Sequence, residues 1–232
     1  MSARPPGAAA GARPDSGRAA ARSRAPDLPA LARALHPLHA PPLAPPWNLP
    51  ALADLLPEPE RLRPAAVLVG LLPREGGRRV LFTVRNPDMR LHPGQVSFPG
   101  GRIDPDDAGA VAAALREAGE EIGLDPAQAT PLGFLDPLAT VTGFRITPVV
   151  ASLDPGFVPR PCPGEVAGVF EVALAWLLDP ANLRPRRLRL EGRAREVLEV
   201  APAPGADTAA PRIWGATASV LQNLGERLRR GA

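Results

Sequence analysis

The chain has 232 residues, and 45% of them are hydrophobic, which is enough for one globular domain with extensions or for two small domains. The formal net charge is +3, but all 27 basic residues are arginine, and they are interspersed with 24 acidic residues. Arginine, alanine and proline in excess without lysine are typical of GC-rich coding, and the lack of tyrosine leaves few aromatic platforms, so we expect no nucleic-acid partner.

The first part of the chain divides into a tail and an extension. Residues 1–30 are low in complexity and nearly free of large apolar groups, so we expect a disordered tail. This composition also fits an organelle transit peptide, although the bias of the whole chain favours a bacterial tail. Residues 31–61 predict a short helix and then proline-broken connections, because proline removes a backbone donor and clashes with the preceding turn. Residues 62–232 are predicted to form the main domain.

The main domain shows short strand patterns and two long helical patterns. Strands are predicted over residues 65–72, 78–85, 95–98, 130–135, 146–153 and 167–174. A helical turn over 175–183 precedes a hairpin over 187–200, which turns at Glu191 and Gly192. Long helices are predicted over 107–124, starting near Asp106 or Asp107 and ending near Gly123, and over 213–230. This mixture indicates a sheet covered by helices, an α/β/α sandwich.

Three glutamates crowd the first long helix. With Leu115 at the centre of an apolar face, Glu117, Glu120 and Glu121 fall on the opposite side. Like charges three or four residues apart repel by roughly 0.2–0.5 kcal/mol per pair, and only Arg116 is near enough in sequence to relieve this. The cluster fits either a solvated acidic face or a site for a hard cation, which prefers carboxylate and phosphate oxygens. The preceding glycine pair, which lets backbone approach a ligand closely, favours the second interpretation.

Two segments resemble a known family. The pattern Arg116-Glu117-x-x-Glu120-Glu121-x-Gly123-Leu124, preceded by Gly101, resembles the box of the Nudix hydrolases, which cleave a nucleoside diphosphate linked to another group. Residues 81–101, LFTVRNPDMRLHPGQVSFPGG, resemble the additional signature of the coenzyme A pyrophosphatase branch. The resemblance extends over residues 62–225. It implies an α+β fold of the Nudix type, with a mixed sheet and a catalytic loop-helix-loop.

The resemblance also implies a reaction and a site. The reaction would be metal-dependent hydrolysis of coenzyme A, with acyl-coenzyme A as a further candidate, to 3′,5′-ADP and 4′-phosphopantetheine. Mg²⁺ or Mn²⁺ would be held by Glu117, Glu120, Glu121 and the carbonyl of Gly101. The general base would be Glu120 or Glu165, and Arg116 would orient the glutamates. The substrate phosphates would be bound by Arg85, Arg90 and the backbone of Gly100.

The chain departs from the general box in two ways, because the spacing from Gly101 to Arg116 is one position longer and a glutamate of the box is missing. Ala108 stands where the box has a glutamate, so the usual partner of Arg116 is missing, and Asp104, Asp106 or Asp107 could replace it. Two alternatives to coenzyme A hydrolysis remain open. The substrate could be a dinucleotide or a nucleotide sugar, or the chain could be a regulatory module that binds a nucleotide without turnover.

Cysteine content and hydropathy indicate the compartment. Cys162 is the only cysteine, so no internal disulfide can form, and we expect a reducing environment. No apolar run reaches the roughly 18 residues that a membrane-spanning helix requires. We therefore expect a cytoplasmic protein with a small-molecule diphosphate as partner and no membrane partner. A homodimer is left open.

Overall fold

The strands and long helices follow the order that the sequence predicts. The computed structural model describes residues 26–56, 58, 61–89, 92–190, 193–203 and 210–231. The helices are α1 (Leu28–Ala34), α2 (Leu49–Leu52), α3 (Ala110–Ile122), α4 (Leu174–Leu178) and α5 (Ala216–Arg230). The strands are β1 (Arg63–Arg74), β2 (Gly77–Arg85), β3 (Val96–Ser97), β4 (Gly100–Arg102), β5 (Ala129–Phe134), β6 (Leu138–Ala139), β7 (Phe144–Leu153), β8 (Val166–Ala173), β9 (Leu183–Leu190) and β10 (Arg193–Val200).

The long strand β1 is buried on both faces. Ala66 and Leu68 belong to one hydrophobic cluster, whereas Val69 and Leu71 belong to another. Successive strand residues point to opposite faces, so a strand that is apolar on both needs cover on both sides of its sheet. This requirement places β1 in the middle layer of the molecule.

Eight strands form one mixed sheet around β1. The order is β3-β2-β1-β7-β5, and β4 pairs with β1, β6 with β7, and β8 with β2. The pairing of β1 with β7 is parallel, from Arg63 opposite Phe144 to Leu71 opposite Ser152. The other pairings described in this sheet are antiparallel. The mixed sheet is therefore confirmed.

Helices cover both faces of the sheet. On one face, Ala114, Ala118 and Ile122 of α3 share a buried cluster with residues of β1 and β7. On the other face, α1, α4 and α5 contribute to the second cluster, as with Leu174 and Leu221. The α/β/α layering in the α+β class is therefore confirmed.

The predicted N-terminal extension shares this core. Leu31 and Leu35 are buried in the same cluster as α5 and β1. Asp136, which follows β5, accepts a hydrogen bond from Arg227 of α5 at 2.9 Å and lies 2.7 Å from the ring of His36. The start of α1 falls inside the tail predicted for residues 1–30, and residues 1–25 lie outside the described part of the chain.

The structure contains the predicted terminal hairpin and also two short strands that the sequence does not predict. The hairpin of β9 and β10 is confirmed, and its predicted turn at Glu191 and Gly192 lies outside the described residues. The sequence predicts neither β4 nor β6, which are short and pair with β1 and β7. Within the described ranges, no helix is long and apolar enough to span a bilayer.

Candidate active site

The helix α3 is rotated about its axis relative to the prediction. Its buried residues are Ala113, Ala114, Ala118, Glu121 and Ile122. Leu115, the predicted centre of the buried face, is only half-buried. The small alanines form the middle of the face that packs on the sheet, and Glu121 lies at the edge of this buried face. The predicted position of Glu121 opposite to the buried face was therefore wrong. The Glu117 side chain is 17% exposed and that of Glu120 is 57% exposed. Glu121 is therefore the most buried of the three carboxylates and Glu120 the most exposed.

The ends of α3 agree only in part with the sequence. The helix ends at Gly123, which adopts a left-handed conformation with φ of 68°. Its first residue is Ala110, and Gly109 is its N-cap without a side-chain hydrogen bond, so the predicted start near Asp106 or Asp107 was wrong. At the far end, the amide of Cys162 donates to the carbonyl of Glu121 at 2.8 Å. The loop before β8 is thereby fixed to the acidic end of α3.

The glycine pair of β4 lies between β1 and the glutamates. Gly100 pairs with Val67 at φ of 152°, and a side chain there would overlap the carbonyl oxygen of Ala66. Gly101 lies directly against the Glu117 carboxylate, and a methyl group on Gly101 would overlap that carboxylate. The predicted close backbone approach at this pair is thus present, and it brings the backbone of β4 to Glu117.

Arg116 binds the carboxylates and the loop before α3 together. Its guanidinium donates to both oxygens of Asp107 at 3.1 and 3.0 Å, a bidentate pair. It also donates to Glu117 at 3.1 Å and to Glu120 at 3.3 Å. The Arg116 guanidinium lowers the pKa of the Asp107 carboxyl below its ordinary value. Arg116 therefore contacts two of the three glutamates that it is expected to orient.

Asp107 is the partner of Arg116 that the sequence left undecided. Asp104 lies farther from the guanidinium, at 3.6 Å, and its amide donates to Asp107 at 2.8 Å. Asp106 is exposed and has no such contact within the described residues. The missing box glutamate is replaced from the loop, where the chain is one position longer than the general box.

This assignment predicts unequal effects of two adjacent substitutions. Asp107→Asn should lower kcat by about 10- to 100-fold, since losing the carboxylate that orients an essential group has a cost of this size. The matched Asp106→Asn removes the same charge one position away, and its kcat should stay within about two-fold because a solvated side chain is lost. Steady-state kinetics on both variants measures this, and equal losses would contradict the assignment.

Glu121 is a buried carboxyl group without adequate partners. It is 4% exposed, and its Oε2 atom has no hydrogen-bond partner among the described residues. Burial raises the pKa of Glu121 to about 8; the charge of Arg85 opposes this rise, and those of Glu117 and Glu165 add to it. Burial is also the main reason why the pKa of Glu117 is raised. A carboxyl group in such a position is typical of a functional site.

Arg85 and Glu165 are both brought to the glutamate cluster. Arg85 ends β2, and its charge acts on Glu121. Glu165 precedes β8, and its charge raises the pKa values of Glu117 and Glu121. Asn86 holds these two segments together, since its amide donates to the carbonyl of Glu165 at 2.8 Å. Arg90, the other predicted phosphate ligand, lies outside the described residues.

The donor set of this site fits a hard cation. Glu117, Glu120 and Glu121 offer carboxylate oxygens, and the partnerless Oε2 of Glu121 is a buried acceptor that a cation would satisfy. Within the described part of the chain, no three His, Cys, Asp or Glu side chains are already arranged to hold a metal ion. Arg116 binds Glu117 and Glu120, so we expect those two side chains to turn towards Glu121 when a cation binds.

The raised pKa of Glu121 predicts how the stability of the metal-free protein depends on pH. The carboxyl group has a pKa of about 8 in the folded chain against an ordinary value of 4.5, so between these values the folded state binds the extra proton. The free energy of unfolding should therefore fall as pH rises from about 4.5 to 8, by a few kcal/mol. Urea unfolding at several pH values measures it.

Two controls separate the contribution of Glu121 to the pH dependence of stability from the contributions of other titrating groups. Glu121→Gln should reduce the slope in that pH window, because the titrating group is gone. Added Mg²⁺ or Mn²⁺ should stabilise the native chain increasingly towards pH 8, because a carboxylate must lose its proton to bind a metal. A slope that is unchanged in the variant would refute the assignment to Glu121.

Comparison with known sequences identifies relatives of the chain. The NUDIX domain profile matches residues 61–196. The uncharacterised Nudix hydrolase NudL of Enterobacter sp. (strain 638) is 39% identical over 162 residues, which cover 70% of this chain and 81% of NudL. NudL of Escherichia coli (strain K12) is 37% identical over 164 residues, with the same coverage of 70% and 81%.

Solved structures show a more distant similarity. The Nudix hydrolase RenU of M. smegmatis is 27% identical and aligns with a TM-score of 0.43, covering 50% of this chain and 74% of RenU. The NUDIX domain of Shewanella oneidensis NrtR, complexed with ADP ribose, is 19% identical with a TM-score of 0.39, covering 49% of this chain and 74% of that chain.

Proposed function

The chain belongs to the Nudix hydrolase family, and we propose that its substrate is coenzyme A, which it cleaves at the diphosphate. One water molecule adds to a phosphorus atom, and the bridging P–O bond breaks. The products are 3′,5′-ADP and 4′-phosphopantetheine, and the proton lost by water passes to a carboxylate. The family generally uses divalent metal ions, and we propose Mg²⁺ or Mn²⁺. Acyl-coenzyme A contains the same diphosphate and is a further candidate.

The buried carboxyl group of Glu121 is the observation that carries the chemical part of the proposal. One oxygen of this carboxyl group has no described partner, although the group accepts a hydrogen bond from the backbone of Gly100 and feels the charge of Glu117, so it is costly unless a cation is bound. Glu117, Glu120, Glu121 and the Gly101 carbonyl would hold a divalent ion, which neutralises diphosphate charge and makes water more acidic. We propose that Arg85 binds a phosphate oxygen, because its charge acts on the Glu121 carboxyl group and a guanidinium pairs well with phosphate.

Coenzyme A is favoured by the loop that borders this cluster. The resemblance to the coenzyme A branch lies in residues 81–101, which include the end of β2, the loop after it, β3 and the start of β4. Asn86 in this loop donates to the carbonyls of Pro163 at 2.6 Å and Glu165 at 2.8 Å. The segment with the substrate signature therefore borders the segment that carries Glu165. We propose that the Gly100 backbone and Arg90 contact substrate from here.

We assign the general base to Glu165 rather than Glu120. Arg116 donates to both carboxylate oxygens of Glu120, at 3.3 and 3.4 Å, so both oxygens of Glu120 are already engaged as hydrogen-bond acceptors. Glu165 is exposed and has no such ion pair within the described residues, yet its charge is felt by Glu117 and Glu121. Glu165→Gln should lower kcat by roughly 100-fold or more while leaving the metal concentration for half-maximal rate unchanged. Glu120→Gln should raise that concentration.

A product assay tests the proposed function. The purified chain is incubated with coenzyme A, ADP-ribose or a dinucleotide, each with Mg²⁺ or Mn²⁺, and the products are separated by chromatography. Formation of 3′,5′-ADP from coenzyme A as the fastest reaction supports the proposal. Cleavage of ADP-ribose or a dinucleotide with coenzyme A left intact overturns the substrate and keeps the hydrolase. No turnover of any diphosphate would favour a regulatory module.

A further inference from the structure

Two arginines enclose an aromatic ring on the sheet beside the glutamate cluster. The guanidinium carbon of Arg63 lies 4.1 Å from the centre of the Phe144 ring, and that of Arg102 lies 5.9 Å from it. Arg63 is paired with Phe144 across β1 and β7, and Arg102 is paired with Ala65 across β4 and β1. Residues two apart on a strand share a face, so both guanidinium groups and the ring lie on one face of the sheet.

Neither guanidinium group is neutralised within the described part of the chain. Arg63 donates to the carbonyl of Thr142 at 3.1 Å, and the side chain of Arg102 has no hydrogen bond or ion pair there. Other arginines nearby are paired, since Arg61 lies 2.8 Å from Glu58 and Arg116 binds four carboxylates. Two exposed, unpaired cations held by one ring form a ready site for an anion with several oxygens.

The arginine pair is adjacent to the candidate active site through the backbone of β4. Arg102 follows Gly101, which lies against Glu117, and the carbonyl of Arg102 accepts a hydrogen bond from Arg116 at 3.0 Å. The side chain of Arg102 points to the face opposite to Glu117, as strand alternation requires. In the described sheet β4 pairs with β1 alone, so its other edge carries no described strand, and a ligand that crossed this edge would contact both faces.

We propose that Arg63 and Arg102, aligned by Phe144, form a subsite for a phosphate monoester that the substrate carries one ribose away from its diphosphate. This inference rests on the proposed function for the identity of the ligand, since coenzyme A carries such a group as its 3′-phosphate. Dephospho-coenzyme A, ADP-ribose and most dinucleotides lack this phosphate. The subsite would therefore select coenzyme A among diphosphates that the glutamate cluster treats alike.

The subsite is tested by binding two ligands that differ only in the 3′-phosphate. Titration calorimetry of the full chain with 3′,5′-ADP and with 5′-AMP, each with Mg²⁺, gives a ratio of dissociation constants. The native chain should bind 3′,5′-ADP about 10- to 100-fold more tightly, the range expected for hydrogen bonds to a charged group. In Arg63→Gln and Arg102→Gln this ratio should fall towards one, through weaker binding of 3′,5′-ADP alone.

Matched variants separate specific recognition of the 3′-phosphate from the general effect of removing a positive charge. Arg61→Gln removes a positive charge two positions from Arg63 and should keep the native ratio. Arg102→Lys should keep part of the preference, because lysine retains the charge but loses the planar fork. Equal affinity of the native chain for both ligands overturns the subsite. A ratio that falls as much in Arg61→Gln as in Arg63→Gln also overturns it.

Turnover separates a failure of the subsite from a failure of the proposed function. The rates for coenzyme A and dephospho-coenzyme A are measured on the same proteins. Cleavage of coenzyme A with equal binding of 3′,5′-ADP and 5′-AMP keeps the function and removes the subsite. Absence of coenzyme A cleavage, with a preference for 3′,5′-ADP that both arginine variants lose, removes the function and keeps the subsite.

Discussion

Replacing Glu121 by glutamine should lower kcat for diphosphate hydrolysis by at least about 100-fold, because losing even a partner of a metal ligand costs 10- to 100-fold. Glutamine has nearly the same shape and can still accept the hydrogen bond from the backbone of Gly100. It lacks the negative charge that a divalent ion requires. Single-turnover kinetics with saturating metal measures the loss, and exposed Glu75→Gln provides the control, with native activity expected.

The same substitution should stabilise the metal-free protein, which distinguishes lost chemistry from lost folding. At pH 8 the native chain keeps a buried carboxyl group beside the charges of Glu117 and Glu165, and its Oε2 has no described partner. Removing the charge relieves this cost, so Tm should rise in the variant. The glutamate that we expect to be needed for activity is thus expected to make the metal-free protein less stable than glutamine at the same position. A variant with native kcat, or with a lower Tm without metal, would show that Glu121 is structural.

The sequence predicts the elements of this fold better than their orientation. The strand and helix patterns follow side-chain periodicity, which is local, and the structure confirms them from β1 to α5. The rotation of α3 was wrong because the prediction gave weight to large apolar residues such as Leu115. Burial depends on how closely backbones can approach, and the small side chains of Ala114 and Ala118 are the ones buried with residues of β1. Their position turns Glu121 towards the sheet.

The contacts that the sequence could not supply are those between segments distant in the chain. Glycines weaken a strand pattern, so β4 was not predicted, although its partner β1 stabilises it through the ladder. Asp107 was one of three candidates, and only the loop geometry brings its two oxygens to Arg116. The pair of Arg63 and Arg102 has no signal in the sequence, because the residues come from strands that are adjacent only after folding.

The two glycines of β4 should respond to alanine in opposite ways, although they are neighbours. In Gly100→Ala the new methyl group would overlap backbone atoms of β1, and the φ of 152° disfavours any side chain. The free energy of unfolding should fall by about 1–3 kcal/mol or more, since backbone strain of this kind costs that much. Urea unfolding measures the loss. Gly168→Ala, where no atom lies within 4 Å, is the matched control and should leave stability nearly unchanged.

In Gly101→Ala the three atoms nearest to the new methyl group all belong to the Glu117 carboxylate, the far end of a flexible side chain. The carboxylate can move, so the free energy of unfolding should stay near that of the native chain, while kcat falls by roughly 100-fold because a catalytic group displaced by about 1 Å loses that much. If Gly101→Ala loses activity but not stability, Glu117 takes part in the reaction. If Gly100→Ala loses stability, Gly100 is required for the fold. A large loss of stability in Gly101→Ala would contradict this division, because Gly101 would then be needed for folding. Full activity would also contradict it, because the contact between Gly101 and Glu117 would then be unrelated to catalysis.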